Sequence, residues 1–192
     1  MTFTIKAAVL YTLIATIMGP TGALADDLSP SKVVAEITLD IDRDGKMDRA
    51  MLVRNGESAS VDLYIYLGTG DGPIDVSRKP TILKKNIASG AAAAIDGDGD
   101  GSLILSYGCG GCSNDSETKL RIVYRSGKVL IGRYTLDWDT RSGIGRCDIN
   151  FLTGKGFVTH GLVGSETRIK VRSSPIALSV WSEDLTQKAC TF

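Results

Sequence analysis

Val61-Asp62-Leu63-Tyr64-Ile65-Tyr66-Leu67 decides the fold class of this chain. Val61, Leu63, Ile65 and Leu67 share one parity, and Asp62, Tyr64 and Tyr66 share the other. A period of two over that length describes a strand with one face in a core and one in water. The same pattern recurs downstream. Leu120, Ile122 and Tyr124 alternate with Lys119, Arg121 and Val123; Leu130, Tyr134, Leu136 and Trp138 share one parity; Ile169 and Val171 alternate with Arg168, Lys170 and Arg172. Shorter apolar runs at 50–53, 81–83, 103–105, 148–152, 157–159 and 176–180 predict further strands.

The punctuation between these runs is Gly, Asn, Asp and Ser. Asn55-Gly56, Ser126-Gly127 and Thr153-Gly154-Lys155-Gly156 each read as the turn of a hairpin. Short helices are expected at 31–35 and 182–189, and Gly90 to Ala94 reads as a small, flexible connection. The predicted fold is mainly β, an antiparallel sandwich or a meander of hairpins.

The first residues read as an export signal. Lys6 forms a short basic region, Ala7 to Met18 is apolar, and Ala23-Leu24-Ala25 offers a small-x-small cleavage site. The apolar run is too short to span a bilayer. Residues 1–25 are therefore expected to be a signal peptide and 26–192 a single β-rich domain, periplasmic or secreted, with no membrane span after cleavage. The chain balances 22 basic against 22 acidic residues, and losing Lys6 leaves 21 against 22. That balance gives no field for nucleic acid or anionic membranes.

Chemistry concentrates in Asp40-Ile41-Asp42-Arg43-Asp44-Gly45-Lys46-Met47-Asp48. Calcium takes about six to eight oxygen ligands in irregular geometry. Asp40, Asp42 and Asp44 stand at the first, third and fifth positions of such a loop. Gly45 permits the sharp turn, Lys46 offers its carbonyl, and Asp48 supplies a further acid. An EF-hand needs a bidentate Glu at the twelfth position, where this chain has Met51. The loop instead resembles the calcium loop of FG-GAP and VCBS-type repeats, in which such an acidic run precedes a strand. The resemblance implies a bound calcium ion of structural role, and Ala50 to Val53 as that strand.

A second acidic run, Asp96-Gly97-Asp98-Gly99-Asp100-Gly101, lies about one such repeat downstream. Its ninth position is Ile104, so the last acid is missing; Asp96, Asp98 and Asp100 make a weak second loop or a plain acidic turn. A propeller needs at least about four four-stranded blades, too many for this length. Tyr124-Arg125-Ser126-Gly127 and the stretch from Cys147 to Lys155 are similar to an uncharacterised family of exported proteobacterial proteins, which implies location and no mechanism.

Cys109, Cys112, Cys147 and Cys190 are the four cysteines, and an even number in an exported chain favours two disulfides with three pairings open. Cys109-Gly110-Gly111-Cys112 has redox spacing, but polar residues follow it where a redox pair opens a helix. His160 is the single histidine, and no serine sits in a nucleophile elbow. The sequence therefore reads as a calcium-binding, disulfide-containing module for an unidentified protein or glycan. Two alternatives stand beside it: a periplasmic inhibitor or immunity-type protein, and a thiol oxidoreductase using Cys109 and Cys112. Arg168, Lys170 and Arg172 on one strand, with Lys119, Arg121 and Arg125 on another, form one basic patch if those strands adjoin.

Overall fold

The computed structural model describes residues 29–56, 60–70, 72–89, 92–109, 115–141, 143–161 and 164–190. The expected signal peptide and Cys112 lie outside the described residues. Four strands form a first sheet in chain order: β1 (Val33–Leu39), β2 (Asp48–Arg54), β3 (Ser60–Tyr66) and β4 (Ile82–Ser89). Seven more form a second, also in chain order: β5 (Ala92–Gly97), β6 (Leu103–Cys109), β7 (Asp115–Arg125), β8 (Lys128–Thr140), β9 (Gly143–Asn150), β10 (Lys155–His160) and β11 (Glu166–Lys170). β12 (Ile176–Ala177) returns to β8, pairing Ile176 with Ile131 and Ala177 with Leu130. One helix, α1 (Glu183–Cys190), follows. Every pairing is antiparallel, as expected of hairpins joined by tight turns. Ser126 and Gly127 take φ of 50° and 75°, the left-handed pair that a two-residue hairpin between β7 and β8 requires.

The expected alternation places one contiguous core across both sheets. Leu52, Leu63 and Ile65 come from the first; Leu103, Leu105, Leu120, Ile122 and Ile131 come from the second. Each such side chain contributes about 1.5–3 kcal/mol of burial. The sheets meet where β5 lies against β1. Gly97 eases that approach, since a Cβ there would sit 3.0 Å from Ile37 Cδ1 and the isoleucine would have to shift slightly.

Five local expectations need correction. β2 and β3 are buried on both faces: Met51, Val53, Tyr64 and Tyr66 pack under Ile74 and Val76 from the connection to β4. The helix expected at 31–35 is a single 3-10 turn, Pro30–Lys32, because the β-branched pair Val33-Val34 extends into β1. Within 176–180 only Ile176–Ala177 is strand; Leu178–Val180 turns so that Leu178 enters the core. Of the small, flexible connection expected at 90–94, Ala92 to Ala94 are part of β5, while Gly90 and Ala91 lie outside the described residues. The basic strands do not adjoin, since β8, β9 and β10 separate β7 from β11.

Candidate metal centre

The acidic loop is the turn between β1 and β2. Ile41 is buried in the core and fixes the loop from below, leaving Asp40 and Asp42 half-buried above it. Asp48, the first residue of β2, is fully buried. Its Oδ2 accepts hydrogen bonds from the N–H groups of Ile41 (2.7 Å) and Asp42 (3.3 Å), and its Oδ1 accepts one from Gly68 (2.7 Å). Gly68 has to be glycine here, because a Cβ would sit 2.2 Å from the Met47 carbonyl oxygen. Asp40 accepts from the N–H groups of Asp44 (3.1 Å) and Gly45 (3.0 Å). The turn is completed by positive φ at Arg43 (63°) and Gly45 (86°).

Carboxylate oxygens of Asp40, Asp42 and Asp48 lie within 4.8 Å of one another, a group that can hold a metal ion. Each carboxylate has about four lone-pair sites, so the backbone bonds leave capacity for a cation. The strain of gathering these charges is seen at Asp42. Burial, then the neighbouring charges of Asp48, Asp44 and Asp40, push the Asp42 carboxyl above its usual range, although the Asp44 N–H opposes this. Oxygen-only donors suit a hard cation and supply no soft-metal or redox ligand.

Not every expected ligand joins the group. Asp44 turns back on its own loop: Oδ1 accepts the Lys46 N–H at 2.8 Å and Oδ2 lies 3.6 Å from Lys46 Nζ. The second acidic run occupies the equivalent turn of the second sheet, between β5 and β6, with Asp96 still in β5. There a guanidinium stands among the carboxylates. Arg121 Nη2 lies 2.9 Å from Asp98 Oδ2 and 2.6 Å from Asp100 Oδ2. Asp100 Oδ1 also accepts from Ser102 Oγ (2.6 Å) and N (3.1 Å). The Ser102 hydroxyl first, then its N–H and Arg121, hold the Asp100 carboxyl down at about 2 against the opposing effect of burial. Arg43 links the two turns by donating to the Asp100 carbonyl. Neither Arg121 nor Gly68 was identifiable as part of this region from local spacing.

Cys147 and Cys190 are joined, tying β9 to the end of α1 across 43 residues. Cys109 is also disulfide-bonded; it ends β6, a strand, and so lacks the helix N-terminus that activates redox cysteines. These bonds point to an oxidising, non-cytoplasmic compartment. No described helix is long and apolar enough to cross a membrane. His160 is exposed at the end of β10, edge-on to Trp138 with ring centroids 5.7 Å apart. No protein-family model, curated protein or solved structure matches the chain.

Proposed function

We propose that the β1–β2 turn binds a structural calcium ion through Asp40, Asp42 and Asp48, in a loop of the FG-GAP/VCBS type. The domain is an exported, non-catalytic module whose sheet surface binds a protein or glycan, and residues 1–25 are removed on export to the periplasm or beyond. The observation that carries the metal reading is the convergence of three carboxylates within 4.8 Å at a turn anchored by Ile41 and Asp48. The ion replaces mutual repulsion by shared attraction and fixes the turn from which β2 enters the core. Calcium is favoured over magnesium because it accepts oxygen ligands in irregular geometry, as a loop of this type supplies them, whereas magnesium demands a near-octahedral shell.

Thermal unfolding with calcium, with magnesium and with chelator tests it. Calcium at about a hundred times its dissociation constant should add about 2.7 kcal/mol of stability, raising Tm with concentration. An unchanged Tm together with no heat of calcium binding overturns it. Mass spectrometry of exported protein should find Asp26 at the N-terminus; retention of residues 1–25 overturns the export reading.

A further inference from the structure

The solvent face of β8–β11 is organised in rows by strand register. Arg133, Asn150, Lys155 and Lys170 stand side by side in the first; Thr135, Asp148, Phe157 and Arg168 in the second; Asp137, Arg146, Thr159 and Glu166 in the third. Three cations on this face have an acid. Arg133 holds Asp148 with Nε at 3.0 Å from both oxygens and Nη2 at 2.6 Å. Arg146 pairs with Asp137, and Arg168 lies 3.6 Å from Glu166.

Lys155 and Lys170 are the exception. They are exposed, directly opposite each other across β10 and β11, and neither makes an ion pair among the described residues. Like charges in that position destabilise a sheet. Beside them, half-buried Phe157 presents an aromatic ring in the middle row. The first row and most of the second, with Glu166 of the third, line an open groove of about 690 Å³ that Gly154 and Gly156 also border. That volume is far larger than a lone anion and falls within the usual range for ligand sites of about 300–1,000 Å³.

We propose that this groove binds an acidic oligosaccharide, with Lys155 and Lys170 receiving its carboxylates and Phe157 the face of a sugar ring. The juxtaposition selects the ligand class. Two uncompensated ammonium groups call for repeated negative charge, which a neutral glycan lacks. A single ring flanked by polar groups, with no row of alternate side-chain pockets, fits a sugar better than an extended peptide. The proposal rests on the reading of the domain as a binding module and is independent of the calcium ion.

Isothermal titration of the purified protein with an oligogalacturonate, a neutral malto-oligosaccharide and an oligoglutamate tests it, in both calcium and chelator. Binding of the oligogalacturonate alone is expected, weakening as salt rises. Lys155→Gln with Lys170→Gln should weaken it roughly tenfold, about the worth of two exposed charge contacts. Phe157→Ala should weaken it as well. The lysine variant relieves a repulsion, so its Tm should equal or exceed that of the parent and loss of binding cannot be assigned to unfolding. No binding of the oligogalacturonate, undiminished binding by the lysine variant, or equally tight oligoglutamate binding that ignores Phe157→Ala each overturns the proposal, the last in favour of an acidic protein. A calcium-independent result of either kind leaves the calcium reading to its own melt.

Discussion

Asp48 and Asp42 stand at the same site and should answer to substitution in opposite ways. Asp48 is the acceptor for Ile41, Asp42 and Gly68, so Asp48→Ala strands buried N–H groups. At about 1–3 kcal/mol for each buried unsatisfied group, the Ile41 and Gly68 N–H groups imply a loss of about 2–6 kcal/mol in urea titration, with or without calcium. Asp42→Asn removes one charge of a crowded group whose carboxyl is already raised. In chelator its Tm should match or exceed that of the parent, while the calcium-dependent rise disappears. Asp100 carries the opposite pH linkage to Asp42. Its folded carboxyl is depressed from 3.8 to about 2, so its contribution is present above the unfolded value and is lost as pH falls from about 4 through about 2. Asp100→Asn should flatten that part of the acid-unfolding curve, followed by circular dichroism. An unchanged acid limb would deny Asp100 this role.

At the scale of the element, α1 is the part most dependent on a covalent tie. It has eight residues, too few for an isolated helix to persist in water. It is held by Cys147–Cys190, by buried Thr186, and by Lys84 Nζ donating to the Trp181 carbonyl at 2.7 Å just before the helix. The chain-entropy relation gives about 4 kcal/mol for a bridge closing a loop of this length. Cys147→Ala with Cys190→Ala should cost about 2–4 kcal/mol in denaturant titration and speed amide exchange in α1 before the strands. Uniform exchange across the fold would place α1 in the same cooperative unit as the sheets. The strands were legible where alternation was clean, as at Val61–Leu67, because period two is a local property. β1 was hidden because Pro30 and Ser31 imitate a helix start, and β5 because alanine carries little signal of either kind. The burial of Tyr64 and Tyr66 was not legible at all, since it depends on Ile74 and Val76 folding back over a sheet already formed.

The whole molecule joins two sheets through one core, which makes its cooperativity measurable. Trp138 and Trp181 both belong to the second half of the fold, remote in sequence from the β1–β2 turn. If the core transmits, calcium at that turn should shift the tryptophan-monitored melt by as much as the far-ultraviolet melt. Separate transitions would mean that the sheets unfold independently. The candidate centre divides in the same way between what is local and what is distant. The spacing of Asp40, Asp42 and Asp48 announced the cluster. That Asp44 leaves it for Lys46, that Gly68 closes on Asp48, and that Arg121 sits between Asp98 and Asp100 are all products of the folded chain.

The return of β12 to β8, with the Cys147–Cys190 bridge behind it, has a consequence for how the chain is made. Up to β11, every strand after the first of its sheet pairs with the strand just before it, so a chain delivered N-terminus first can build each sheet hairpin by hairpin as it arrives. The last residues behave differently. Ile176, Ala177 and Cys190 must reach back to β8 and β9, strands already in place, and this seam does not latch until Cys190 has arrived. Oxidation of Cys190 thus reports that β12 and α1 have docked, and a chain lacking that bond would carry assembled sheets and an unclosed seam.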